Sequence, residues 1–283
     1  MFRRKNENPN ILIASFIKNM AFCFPQWSQS ILNIDYPKKN IRIVIIENDS
    51  IDDSYSLLQE FKKEYKNKYL SIDILHLDTG GQDTLWWDKR TTKEQYNRFV
   101  MFIIKIHNDF FPRYFKDADY WLCIQADNIP PPHIIKSHLE VFKQYPDAGM
   151  ITGLIRQRPS QSACGENARL SARIIEKQFP PKPWRLDPMR VSKWGADSGI
   201  MRTKYLYDME EDSKKLSGVV KGALCFCTPI IPIPVYEKLK MWYHVDDQIV
   251  SWLYQLEDMG LNWYLNNNVK LLHIDRDGST VPI

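Results

Sequence analysis

Short apolar runs alternate with amphipathic stretches along the first half of the chain, with polar turns between them. Residues 11–16 (Ile-Leu-Ile-Ala-Ser-Phe) have the length of a buried strand, and a helical pattern follows around residues 26–32 until Asp35-Tyr36-Pro37 breaks it. Residues 41–46 are β-branched almost throughout and predict a second strand. It runs into Glu47-Asn48-Asp49-Ser50-Ile51-Asp52-Asp53, then a helix over 54–66 and a third strand over 70–75. A loop containing Gly80-Gly81 and Trp86-Trp87 leads to a long helix over 92–111. Strand, turn and helix in this order predict right-handed βαβ units and an α/β fold with a mainly parallel central sheet.

The chain is organised around Tyr120-Trp121-Leu122-Cys123-Ile124-Gln125-Ala126-Asp127-Asn128-Ile129-Pro130-Pro131-Pro132. Its apolar run is the length of a strand, and prolines cannot donate to a sheet ladder, so the strand is expected to end near Asp127. A carboxylate and an amide then stand at the carboxyl end of a buried strand, the edge where open α/β sheets bind ligands. Capping of the next helix, over 133–145, would use the same residue types.

Beyond residues 148–155, another strand candidate, periodicity fades from 156 to 217. So long a stretch without regular pattern inside a compact domain suits a lid or a binding surface. It holds Trp184 and Trp194, candidates for stacking on a ligand, although either would equally serve a satellite core. Later come a strand over 219–227, a short helix from the prolines at 232 and 234 through 240, and a helix over 249–259 closed by Gly260. Two short strands, 262–265 and 269–274, form a small late β element.

Composition narrows the partners. Lys and Arg number 38 against 34 Asp and Glu, a net charge of +4, which is no footprint of a nucleic-acid binder. Five cysteines, none in a Cys-x-x-Cys pair, suit reduced thiols in the cytoplasm. Neither a secretory leader nor an apolar run long enough for a membrane helix is visible, which leaves peripheral membrane association open.

The stretch Gln125-Ala126-Asp127-Asn128 resembles the Asp-x-Asp strand end of GT-A-fold glycosyltransferases, family 2-like enzymes and the procollagen galactosyltransferase group in particular. In those families the strand end holds a divalent metal on a nucleotide diphosphate sugar. Asp127 matches the second acidic position; Gln125 stands where an acid is usual, one carboxylate fewer. The turn from Glu47 to Asp52 is similar to the family's nucleoside-recognising turn. By that likeness Glu47 or Asn48 contacts the base or ribose, while Asp49, Ser50 and Asp52 cap the next helix and leave Glu47 free. Ser15 at the end of the first strand, and Arg98 on the helix before the central strand, complete the nucleotide-sugar set that the resemblance implies.

Further along, His244-Val245-Asp246-Asp247-Gln248-Ile249-Val250 resembles the family's acidic pair at a helix start, whose second acid is the catalytic base. That implies Asp247, with Asp246 as its substitute. A carboxylate there would take the proton of an acceptor hydroxyl, and a helix N-terminus would keep it ionised. The resemblance also implies that His273, late in the last apolar strand, is a metal ligand. With Asp127 it makes an oxygen and nitrogen set suited to Mn²⁺ or Mg²⁺, and Arg276 would neutralise diphosphate.

The implied protein is a single GT-A-like, Rossmann-like α/β domain over 1–283. Residues 1–155 would form its nucleotide-sugar half, and 156–283 its acceptor half with an insertion at 156–217. It would transfer a sugar, with inversion and metal assistance, to a glycan, glycolipid or protein hydroxyl. A nucleotidyltransferase shares the fold, but its glycine-rich phosphate loop is missing from Ser15-Phe16-Ile17-Lys18-Asn19. A catalytically inactive sugar-nucleotide-binding protein is the other alternative, kept open by Gln125.

Overall fold

The computed structural model describes residues 8–78, 93–155, 172–175, 203–205, 218–225, 228–242, 250–275 and 278–281. Its first half follows the sequence pattern: β1 (Ile11–Ile17), α1 (Phe24–Asn33), β2 (Ile41–Asn48), α2 (Ser54–Tyr65), β3 (Ser71–Leu77), α3 (Lys93–Lys105) and β4 (Tyr120–Cys123). Next come β5 (Asn128–Ile129), α4 (Ile134–Gln144), β6 (Ala148–Ile155), β7 (Ala172–Ile175) and β8 (Thr203–Tyr205). The remainder comprises β9 (Val219–Lys221), β10 (Ala223–Cys225), β11 (Ile230–Pro232), α5 (Ile233–Tyr236), α6 (Val250–Asp258), β12 (Asn262–Ile274) and β13 (Thr280–Val281).

The main sheet runs β13-β12-β6-β11-β4-β1-β2-β3, with β5 and β9 also paired to β12; β10, β7 and β8 form a separate sheet. The longer pairings, β1 with β2 and β4, β2 with β3, and β6 with β12, are parallel. Strand β11 enters antiparallel between β4 and β6. Apolar residues are continuous in β1 and β2 because both faces are covered. Ile11, Ile13, Ile43 and Ile45 pack with Trp27 of α1, Leu58 of α2 and Ile134 of α4. Leu12, Ala14, Val44 and Ile46 face Val100 of α3 and Trp252 of α6 on the other side. Each such side chain fully buried contributes about 1.5–3 kcal/mol.

Several boundaries differ from the sequence reading. Strand β4 stops at Cys123 rather than near Asp127, because the chain turns over Gln125–Asn128 and returns as β5. The expected strand over 219–227 breaks at Gly222, whose φ of 77 lets β9 and β10 join different sheets. Residues 230–232 are strand and not helix start: Pro232 ends the strand, where its missing N–H costs no ladder bond. The two late strands are one, β12, interrupted by a bulge. The long helix over 92–111 ends at Lys105 and widens into a π turn over Ile106–Phe110.

Gly153 lies against that bulge. A Cβ there would sit 2.8 Å from Val269 Cγ1 and 3.0 Å from the Val269 carbonyl oxygen. Gly153→Ala is therefore expected to lower stability by about 1–3 kcal/mol, measured as a shifted urea midpoint at unchanged m.

Two histidines are sealed in the core. His107 is packed among Phe111, Trp121, Tyr236 and Trp252, with Nδ1 2.8 Å from the Tyr236 hydroxyl. Burial lowers its pKa to about 3. His138 is likewise lowered to about 3, by burial and secondarily by His133. Both values lie below the unfolded value, so their neutral forms are fully compatible with folding above about pH 6.5. Stability is expected to fall between about pH 6.5 and 3, by about 1.4 kcal/mol per pH unit for each ring. Urea titrations at pH 7.5 and 5.5 measure the slope, and a folded His138→Gln variant should lose about half of it.

Candidate functional site

The carboxyl ends of β1, β2 and β4 meet at one edge of the main sheet. The turn after β4 is pinned there from several sides. Ile124 N–H donates to the Ala14 carbonyl at 3.0 Å, and the Ser15 hydroxyl to the Ile124 carbonyl at 2.5 Å. Asn128 N–H closes the turn on the Gln125 carbonyl at 3.1 Å, and the Cys23 thiol lies 3.4 Å from the Ala126 carbonyl. Strand β12 holds the far side: Ile274 N–H donates to the Asp127 carbonyl at 2.8 Å, and His273 pairs with Asn128 across β5.

This pairing brings together two residues 146 positions apart. His273 Nε2 lies 3.2 Å from Asp127 Oδ2, with the residues 6% and 8% exposed. Asn128 is fully buried, and neither its side-chain oxygen nor its nitrogen has a hydrogen-bond partner among the described residues. Directly opposite residues of an antiparallel pair share a sheet face, so the Asn128 amide and the His273 ring lie on the same side. Leaving such a group unsatisfied costs about 1–3 kcal/mol, which a ligand with polar atoms would recover.

The donor set suits a divalent cation. Metal–oxygen distances near 2.1 Å place adjacent ligand atoms on one ion about 3 Å apart, close to the separation of Asp127 Oδ2 and His273 Nε2. No group of three or more His, Cys, Asp or Glu gathers among the described residues, so a cation there would draw further ligands from its substrate.

The second polar turn differs from expectation. Glu47 is not free: it is fully buried, Oε1 accepts Ser50 N–H at 2.7 Å, and Oε2 lies 2.5 Å from His76 Nδ1. Asp52 accepts the Ser54 N–H at the start of α2, whereas the Ser50 hydroxyl oxygen accepts Asn19 N–H. The Ser54 hydroxyl oxygen accepts Met20 N–H, and Asn19 Oδ1 accepts Ile51 N–H, so the turns after β1 and β2 are laced together. Asn48 is buried on this turn, and its Oδ1 lacks a partner among the described residues.

Of the other expected site residues, Gln125 is half-buried and Ala126 buried on the turn, and Arg98 is exposed on α3. Asp246, Asp247, Arg276, Trp184 and Trp194 lie outside the described residues. The sequence reading missed His76. Its signal was a polar side chain continuing the alternate positions of Ile72 and Ile74, both of which pack on the core.

Residues 8–142 match the model of glycosyltransferase family 25, N-terminal domain. No curated protein matches the chain. Among solved structures, GalNAc-T7 with UDP, GalNAc and Mn²⁺ is similar over 96% of this chain and 45% of that one, at 9% identity and a TM-score of 0.52. That likeness is one of fold, the GT-A arrangement. A mannosyltransferase from Pyrobaculum calidifontis with GDP-Man and Mn²⁺ is 13% identical over 54% of this chain and 37% of its own, with a TM-score of 0.34. S. aureus TarS 1–349 with UDP-GlcNAc is 12% identical over 53% and 34%, also at 0.34. The chain thus spans less than half the length of each of these three.

Proposed function

We propose that this GT-A-fold glycosyltransferase moves a sugar from a nucleotide diphosphate sugar to an acceptor hydroxyl of a glycan, glycolipid or protein. The observation that carries the reading is the buried Asp127–His273 pair beside the unsatisfied Asn128 amide, at the sheet edge where such folds bind ligands. GalNAc-T7, which shares the fold, was solved with UDP, GalNAc and Mn²⁺, and the same classes of donor and metal are proposed here.

In this reading Asp127 and His273 hold Mn²⁺ or Mg²⁺, and Asn128 hydrogen-bonds the donor. A bound cation supplies charge neutralisation for the leaving diphosphate. Arg276, three residues after His273 in the sequence, would add positive charge for the diphosphate. Asp247, in the sequence just ahead of α6, removes the proton of the acceptor hydroxyl. The acceptor oxygen bonds the anomeric carbon from the face opposite the diphosphate, the bond to the diphosphate oxygen breaks, and configuration inverts. Trp184 and Trp194 are proposed, from the sequence alone, as stacking residues for the acceptor. A reducing, cytoplasmic setting belongs to this reading on the cysteine pattern, five residues with no Cys-x-x-Cys pair. No helix among the described residues is long and apolar enough to cross a membrane.

The alternative of a sugar-nucleotide-binding protein without activity is favoured by Gln125 alone. Slow hydrolysis of one nucleotide sugar from a panel would decide for the enzyme; binding of a donor with neither transfer nor hydrolysis would decide for the binding protein.

Asp127→Asn is expected to abolish the gain in nucleoside diphosphate affinity that Mn²⁺ confers, with the thermal midpoint little changed. Calorimetry with and without Mn²⁺ measures this, and an undiminished gain would remove Asp127 from the metal site. In the same assay Gln125→Asp should tighten Mn²⁺ binding by restoring a second carboxylate.

Asp247→Asn should slow transfer about 10²- to 10⁴-fold while donor affinity stays near wild type, because the base touches only the acceptor. Asp246→Asn should be milder. Near-normal transfer by Asp247→Asn, or a product retaining the donor's anomeric configuration, would rule out this base.

A further inference from the structure

The Glu47 carboxylate has no oxygen to spare for a nucleoside. Both are occupied within the protein and the residue is fully buried. The group that reaches solvent from this pair is His76, at the carboxyl end of β3, whose side chain is 48% exposed. We propose that His76 is the nucleoside-reading residue of the donor site, with Glu47 as the positioning residue behind it. The proposal rests on the nucleotide-sugar reading above.

The chemistry follows from what each atom can do. An ionised carboxylate only accepts, so the ring nitrogen facing it, Nδ1, must carry the hydrogen. Nε2 is then the ring nitrogen left for a ligand, and in the neutral ring it is an acceptor. It can take a hydrogen bond from the imide N–H of a base or from a ribose hydroxyl. Glu47 therefore fixes both the tautomer and the direction of the ring, as a carboxylate does behind a functional imidazole. Tyr55 of α2, 42% exposed, holds the ring from the side, with centroids 5.1 Å apart. Ile51, 87% exposed, is an apolar side chain on the same β2–α2 turn whose Ser50 N–H Glu47 holds.

The position suits this role. His76 is opposite Glu47 in the β2–β3 register, and β3 lies three strands from β4 in the sheet. With neighbouring strands about 4.8 Å apart, His76 and the Asp127 turn are separated by about 14 Å. That is of the order that a nucleoside diphosphate covers from base to terminal phosphate. A purely structural role, satisfying a buried carboxylate, would explain Nδ1 but would not require the other side of the ring to stand open.

The test is calorimetry with Mn²⁺ and four probes: UDP, CDP, 2′-deoxy-UDP and inorganic pyrophosphate. His76→Asn keeps a side-chain N–H for Glu47 and removes the outward nitrogen. It should fold with an unchanged thermal midpoint, bind UDP about tenfold more weakly, the equivalent of one hydrogen bond, and bind pyrophosphate as before. His76→Gln, whose amide reaches toward the Nε2 position, should recover part of the loss. If the contact is to the base imide, wild type prefers UDP over CDP and His76→Asn erases the preference. If it is to ribose, 2′-deoxy-UDP already binds wild type weakly and loses little more on mutation. In a transfer assay His76→Asn should raise the donor KM and leave kcat nearly unchanged. Unchanged UDP and CDP affinities in folded His76→Asn would overturn the proposal while leaving the donor site standing. A wild-type protein that binds pyrophosphate but none of the nucleotides, or none of the four probes, would overturn the nucleotide-sugar reading itself.

Discussion

The site depends on one strand changing partners. Over its first part β12 runs parallel to β6, from the Asn262–Ala148 pair to the Leu265–Thr152 pair. Pairing resumes at Lys270 opposite Leu154, so five steps of β12 are matched by two of β6. The surplus is a bulge, and past it the strand also takes β5 and β13 as neighbours. The bulge is held by specific bonds: Asn266 donates to Ser137 and accepts Asn268 N–H, Asn267 N–H donates to the Gly218 carbonyl, and His133 contacts the Asn268 carbonyl. Gly153 leaves the space it fills. A one-residue error in this register would turn His273 to the opposite face and separate it from Asp127.

Two carboxylate–imidazole pairs result at the same sheet edge, and they differ in their access to water. Asp127–His273 is nearly dry on both sides, whereas Glu47–His76 is sealed at the carboxylate and open at the ring. Burying a carboxylate without compensation is costly, so each partner contributes first to stability by satisfying its acid. Satisfaction at these strand ends is incomplete: the Asn128 amide beside the dry pair, and Asn48 Oδ1 at the end of β2, are buried without hydrogen-bond partners among the described residues. Asn48 ends β2 and Asn128 follows β4, on either side of β1, and on the proposed reading polar atoms of the donor would be their partners.

What the sequence disclosed was what local pattern encodes. Strands β1, β2 and β6 were legible because burial on both faces leaves no polar interruption. Asp127 stood out because prolines bound the segment, and His273 because the order of motifs resembled a known family. Strand β11 was obscured by its own prolines, which favour a helix start as readily as a strand end. The bulge in β12 looked like a gap between two strands, since Asn266, Asn267 and Asn268 read as a turn when the partners at Ser137 and Gly218 are unknown. Glu47 was read as free because capping was assigned to Asp49 and Ser50. The bond that Ser50 makes to Asn19 depends on how β1 and β2 come together, which no local pattern states.

The glutamine at position 125 acquires a physical sense from this geometry. Two carboxylates two residues apart on a tight turn would repel each other whenever no cation was bound, and the turn would depend on metal to keep its shape. With Gln125 the turn carries one charge, and His273 satisfies it directly at 3.2 Å. The edge of the sheet is thereby organised in advance of any ligand, which reduces the ordering needed on binding. On the proposed reading, a cation would have to replace the Asp127–His273 hydrogen bond and would find fewer protein charges than in a two-carboxylate site. Its affinity would then depend strongly on oxygens supplied by the donor diphosphate. Linkage makes that dependence mutual: whatever the diphosphate adds to metal affinity, the metal adds to donor affinity. Metal and donor would enter this site most effectively together, and the turn that receives them would hardly need to move.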